Sequence, residues 1–65
     1  MTWRHSNGSD VIAIFQAGTP VEVAALGDGP GWDTPRQVVS VDGGRAMLAG
    51  GQFFFADTPV TWRTA

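Results

Sequence analysis

Residues 36–55 read RQVVSVDGGRAMLAGGQFFF, three strand-length segments separated by two glycine pairs. The first and last segments are rich in β-branched or aromatic residues, a composition typical of strands. Gly43-Gly44 and Gly50-Gly51 allow the positive φ angles that tight hairpin turns need. We therefore predict a three-stranded antiparallel meander over residues 36–55.

Three Thr-Pro dipeptides lie outside or at the border of this meander, ending at Pro20, Pro35 and Pro59. Proline has no amide hydrogen for a ladder, so it is tolerated at the first position of a strand, and it holds the preceding residue extended. Each dipeptide is followed by residues that favour strands. We predict that a strand begins at each one, which adds strands over residues 21–26 and 60–63.

Residues 10–17 fit two structures. Ser9 or Asp10 is a suitable cap for a helix that ends at Gly18. The β-branched and aromatic residues in the segment favour a strand instead, and we expect a strand. In a strand, successive side chains point to opposite faces, so one pair would point away from the core, either Ile12 with Ile14 or Val11 with Phe15.

Five or six short strands in 65 residues, punctuated by nine glycines and four prolines, indicate a small all-β fold. We expect a five- to six-stranded antiparallel barrel as a single domain over residues 10–65. Residues 1–9 are then an N-terminal tail or an additional edge strand. So short a chain buries little surface, so we expect a second subunit or a larger partner to supplement its core.

The sequence GTPVEV at 18–23, a glycine-rich loop at 27–31 followed by Trp32, and VVSV at 38–41 before a glycine hairpin form a spaced pattern. This pattern resembles the small barrels of the SH3-like class, including the KOW type of ribosomal and transcription proteins. The resemblance covers about residues 18–50 and implies an SH3-like barrel. RNA-binding KOW domains carry lysines around this loop, whereas the chain has no lysine and the loop is acidic, so their RNA-binding role is not carried over.

The composition excludes most catalytic chemistry. Without cysteine or lysine the chain has no thiolate metal site, thiol nucleophile, lysine-containing phosphate loop or Schiff-base lysine. Its one histidine, His5, lies near the terminus, where a triad with Ser40 would lack a rigid support. We expect no enzymatic activity, no cofactor, no bound metal and no small-molecule substrate.

The charge and hydropathy pattern point to a cytoplasmic protein. A formal net charge of −2 and a pI near 4.8 argue against nucleic acid or an anionic membrane as the main partner. The longest apolar run, residues 11–15, is far too short to span a bilayer, and residues 1–5 lack the apolar core of a signal peptide.

Two apolar segments, 11–15 and 53–55, carry apolar residues on both faces if they are strands. If Phe53 and Phe55 enter the core, Phe54 points outward. Trp32 either folds over the barrel as a lid or presents a flat anchor to a partner. Either another molecule covers the outer side chains of these segments, or a loop or the N-terminal tail of the chain does. The candidate protein-binding residues are Trp32, Phe54, Ile12 and Ile14, together with the loop acids Asp28 and Asp33.

The tripeptide Thr-Trp-Arg occurs at residues 2–4 and again at 61–63. We interpret the repeat itself as coincidence. Small barrels often bring their ends together, however, and pairing of the two segments would stack arginine against indole.

These observations predict a non-enzymatic protein-binding module that binds itself or a larger protein. Its size and acidity suit a phage or mobile-element accessory protein that inhibits a larger bacterial protein by occluding its surface. A phage-encoded protein of this kind would act in the host cytoplasm. One alternative is a small structural subunit of a virion or other oligomeric assembly. A second is a nucleic-acid-binding barrel that uses tryptophan stacking and the four arginines, Arg4, Arg36, Arg45 and Arg63.

Overall fold

A computed structural model describes residues 2–27 and 29–65 of the chain, which form six strands and one helix. The elements are β1 (Arg4–Asn7), α1 (Gly8–Gln16), β2 (Val21–Leu26), β3 (Arg36–Asp42), β4 (Arg45–Leu48), β5 (Phe53–Phe55) and β6 (Pro59–Thr64). The strands form one antiparallel sheet in the order β1-β6-β2-β3-β4-β5. The predicted small all-β fold is confirmed.

The predicted strand starts and the meander are also confirmed. β2 begins directly after Pro20, β3 directly after Pro35, and β6 at Pro59 itself. Strands β3, β4 and β5 are consecutive neighbours in the sheet. Gly43 and Gly44 have φ angles of 60° and 76°, so the two-residue hairpin between β3 and β4 needs glycine at both positions.

The sheet has two edges among the described residues, β1 and β5, and these two strands do not pair with each other. The helix α1 contacts both edge strands and also β2, β3 and β6. Of the predicted N-terminal tail or edge strand, residues 4–7 form the edge strand β1, and the helix begins at Gly8.

The expected strand over residues 10–17 is wrong, because this segment is the helix α1. Gly18, with a φ of 100°, ends it in a Schellman motif. The Gly18 amide donates to the carbonyl of Phe15 at 3.0 Å, and the Thr19 amide donates to the carbonyl of Ile14 at 3.3 Å. This local termination, together with burial of one helix face, outweighs the weak helix propensity of the β-branched residues.

The first amides of α1 are satisfied by the turn between β5 and β6 and not by a capping side chain. The Gly8 amide donates to the carbonyl of Thr58 at 2.8 Å, and the Ser9 amide donates to the carbonyl of Ala56 at 2.9 Å. The helix is therefore attached at its N-terminus to the end of the meander.

Val11 is completely buried, and Ile12, Ile14 and Phe15 are half-buried against the core. The helical period turns all four side chains toward the sheet, so the apolar run does not divide between two faces as a strand would require. The core consists of Val11, Val21, Val23, Val38, Ala46, Leu48, Phe54, Val60 and Trp62.

Candidate protein-binding surface

The meander has one buried face and one exposed face. On β4, Ala46 and Leu48 are buried, and on β5 the buried residue is Phe54. Because side chains alternate along a strand, Met47, Phe53 and Phe55 lie on the opposite face. Met47 pairs directly with Phe53, so these side chains are neighbours on that face.

A bulge in β3 adds a further apolar side chain to this surface. The β3–β4 register shifts between the pairs Val38 with Leu48 and Ser40 with Met47, which leaves Val39 as the extra residue. Val38 is buried, whereas Val39 and Ser40 are both exposed. The bulge therefore places Val39 outside, and we call the set Val39, Met47, Phe53 and Phe55 the outer meander face.

The large apolar side chains that are exposed in the described residues all belong to the outer meander face. Val39 is 56% exposed, Phe55 50% and Phe53 44%. Single exposed apolar residues are ordinary on protein surfaces, but a contiguous cluster of them marks an interaction site. The clustering, more than the exposure of any one residue, identifies this face as a candidate interface.

Side-chain contacts hold the aromatic part of this surface in one arrangement. The Phe53 and Phe55 rings meet edge to face, with centroids 5.6 Å apart and planes at 85°. The guanidinium carbon of Arg45 lies 5.1 Å from the centre of the Phe53 ring. The face thus presents two mutually supported rings with one cation beside them.

The prediction that Phe54 points outward is wrong. Phe54 is 1% exposed and belongs to the core, while Phe53 and Phe55 are exposed. Phe54 pairs with Ala46, a small residue that leaves room for a large ring on the buried face. The signal that could have settled the orientation is Arg45, because a charged residue favours the solvent face and Arg45 pairs with Phe55.

The other predicted binding residues lie elsewhere. Ile12 and Ile14 are half-buried on α1 and pack against the core. Trp32 is also half-buried against the core, its amide donates to the carbonyl of Ala24 at 2.8 Å, and the Arg36 guanidinium carbon lies 4.4 Å from its ring centre. Asp33 is exposed, and Asp28 lies outside the described residues.

All four arginines of the chain stack on aromatic rings. The distances from the guanidinium carbon to the ring centre are 5.7 Å for Arg4 on Trp62, 4.4 Å for Arg36 on Trp32, 5.1 Å for Arg45 on Phe53 and 4.2 Å for Arg63 on Trp3. Within residues 2–27 and 29–65, the one ion pair joins Arg63 to Glu22. Each arginine thus lies against an aromatic ring, and Arg63 is in addition paired with a carboxylate.

The structure separates the residues of the triad considered above. His5 lies on β1, where its Nδ1 is 3.0 Å from Oγ1 of Thr61, and Ser40 lies on β3, with β6 and β2 between the two strands. In the described part of the chain, no group of three or more acidic or histidine side chains is placed to hold a metal ion.

No family model matches the chain, and no curated protein or solved structure matches it. Among the described residues, no helix combines the length and apolar character needed to cross a membrane.

Proposed function

We propose that this chain is a non-enzymatic protein-binding module whose binding surface is the outer meander face. The observation that carries the proposal is the exposure of Val39, Phe53 and Phe55 on one face of one three-stranded unit. Aromatic residues including phenylalanine, together with methionine and arginine, are enriched in protein interfaces relative to the rest of the surface. We further propose that the partner is larger than this chain and is blocked by occlusion of its surface, as a phage-type accessory inhibitor would do.

The Phe53 and Phe55 rings are suited to binding because their side chains are already ordered in the unbound protein. The edge-to-face contact of Phe53 with Phe55 and the Arg45 stack restrict the rotamers of these side chains. Less conformational entropy is then lost on association. Burial of the two rings removes apolar surface from water without any rearrangement of the core.

A capture experiment with matched variants tests the proposal. The double variant Phe53→Ser, Phe55→Ser removes the rings, and Gln16→Ser changes an exposed side chain on α1 as the control. Immobilised wild type and control should retain the same protein from a lysate of the native cells, and the double variant should retain at least roughly 30-fold less. Equal capture by the double variant, with its near-ultraviolet circular dichroism unchanged, would refute the proposal.

The nucleic-acid-binding alternative has weaker support. Stacked bases need open aromatic faces. Each tryptophan already carries an arginine on one face, and Trp62 is buried. Tight, salt-dependent binding of single-stranded nucleic acid would favour this alternative over the protein-binding module.

A further inference from the structure

The outer meander face has a positive charge beside its exposed rings. Arg45 is the partner of Phe55 in the β4–β5 register, so the two side chains are on the same face of the sheet. The guanidinium carbon of Arg45 lies 5.1 Å from the centre of the Phe53 ring, which is on β5 two residues from Phe55. A protein that covers these two rings therefore also covers the guanidinium group.

No carboxylate in the described part of the chain forms an ion pair with Arg45. The one ion pair of the described residues joins Arg63 to Glu22. Asp42 is the partner of Arg45 in the β3–β4 register, so its exposed side chain lies on the same face, but the two charged groups are not paired. The guanidinium group is instead directed to the opposite side of β4, over Phe53.

Covering this face changes what the guanidinium group needs. In the free protein Arg45 is exposed, and water solvates its charge. A charge that is removed from water costs free energy unless an opposite charge or a hydrogen-bond acceptor pairs with it. The N–H groups of arginine lie in the plane of the guanidinium group and match the two oxygens of a carboxylate. Stacking on Phe53 covers one planar side of the group and leaves these N–H groups for a partner.

We propose that the partner of the outer meander face places a carboxylate against Arg45, next to the apolar side chains that cover Phe53 and Phe55. This inference rests on the proposed function and names the chemistry of its partner. Complementary charge at an interface fixes the register of the two proteins and discriminates against wrong partners. The apolar rings supply contact area, and Arg45 selects partners that carry an acid at the matching position.

Carbodiimide coupling detects such a carboxylate directly, because it joins an amine to a carboxylate that touches it. The chain has no lysine, so Arg45→Lys introduces a single lysine amine and keeps the positive charge. The probe is the protein that the wild type retains in the capture experiment, purified and mixed with each variant. Arg45→Lys should couple to it through position 45. The wild type and Gln16→Lys, which carries its amine on an exposed part of α1, should give background coupling only.

Mass spectrometry of the coupled product identifies the carboxylate, either an Asp or Glu side chain or the end of the partner chain. Coupling from Arg45→Lys no greater than from Gln16→Lys overturns the inference. An amide formed between position 45 and Asp42 in the complex, in place of one to the partner, also overturns it, because Asp42 is then the carboxylate that pairs with Arg45.

The affinity of the same purified protein separates this inference from the proposed function. Arg45→Gln should weaken binding roughly 10-fold or more, Arg45→Glu should weaken it further, and Arg45→Lys should bind more tightly than Arg45→Gln. If Arg45→Gln binds like the wild type but the double variant of Phe53 and Phe55 does not, the proposed function stands and the inference fails. If neither change weakens binding, both fail.

Discussion

The guanidinium carbon of Arg63 lies 4.2 Å from the centre of the Trp3 ring, and this contact attaches the start of the chain to its last strand. Arg4 pairs with Trp62 in the register of β1 and β6, so the antiparallel Trp-Arg dipeptides stack reciprocally. Arg63 also pairs with Glu22, its neighbour on β2. One arginine therefore connects three adjacent segments of the sheet.

Replacement of Trp3, whose ring stacks on Arg63, should destabilise the fold. Trp3→Ala should lower the free energy of unfolding by about 1 kcal/mol, because the cation–π contact and its apolar area are lost. For a domain of this size that corresponds to a fall in Tm of roughly 4–8 °C, measured by circular dichroism. Thr2→Ala, a change at the exposed residue next to it, should leave the Tm unchanged. Equal melting of Trp3→Ala and wild type would show that the stack contributes nothing.

Ser6 satisfies a polar atom of the core. The Trp62 indole Nε1 donates to Oγ of Ser6 at 2.8 Å, and Trp62 is buried. Ser6→Ala leaves this donor without its acceptor and should cost about 1–3 kcal/mol in urea unfolding. Ser40→Ala, at an exposed serine on β3, is the matched control and should cost less than about 0.5 kcal/mol. The hydrogen bond is unimportant if the two variants unfold alike.

Gly8 is required by the close approach of α1 to β5. A Cβ atom at Gly8 would lie 2.1 Å from the Phe55 carbonyl oxygen and 2.7 Å from Cδ1 of Phe54. Gly8→Ala must therefore displace backbone and should destabilise the protein by about 3 kcal/mol or more. At Gly31 a Cβ would lie 3.7 Å from the Ala24 carbonyl oxygen, the nearest atom outside the adjacent residues, so Gly31→Ala should be tolerated. Thermal melting of the two variants compares them directly, and similar losses would contradict this packing.

The three consecutive phenylalanines should separate into core and surface residues. Phe54→Ala creates a cavity and should cost about 3–5 kcal/mol, enough to unfold much of so small a domain. Phe53→Ala removes a half-exposed ring and should cost about 1 kcal/mol or less. Urea denaturation followed by tryptophan fluorescence measures both. A larger loss for Phe53 than for Phe54 would reverse the assignment of the faces.

The strand starts and the meander were predictable because their signals are local. A proline after an extended threonine, or two glycines with positive φ, specifies the chain geometry without reference to distant residues. The stacking of Arg4 and Arg63 on tryptophan was likewise predictable from the repeated dipeptide, once the two ends were assumed to pair.

The helix and the orientation of residues 53–55 depend on distant contacts. The composition of residues 10–17 suits a helix or a strand. Besides the local termination at Gly18, burial of Val11 and the bonds to the β5–β6 turn favour the helix. Likewise, three identical phenylalanines carry no information about which face is buried. That choice follows from the register of β4 with β5, which pairs Phe54 with Ala46 and Phe55 with Arg45. Arg45 indicates the solvent face only once this register is known.

Photo-cross-linking from the outer meander face tests the central claim most directly. A photoreactive phenylalanine analogue is placed at Phe53, or at Gln16 on the exposed side of α1, and each protein is irradiated in a lysate of the native cells. We predict one dominant covalent adduct from position 53, to a larger protein, and none from position 16. No adduct from position 53, or the same adducts from both positions, would contradict it.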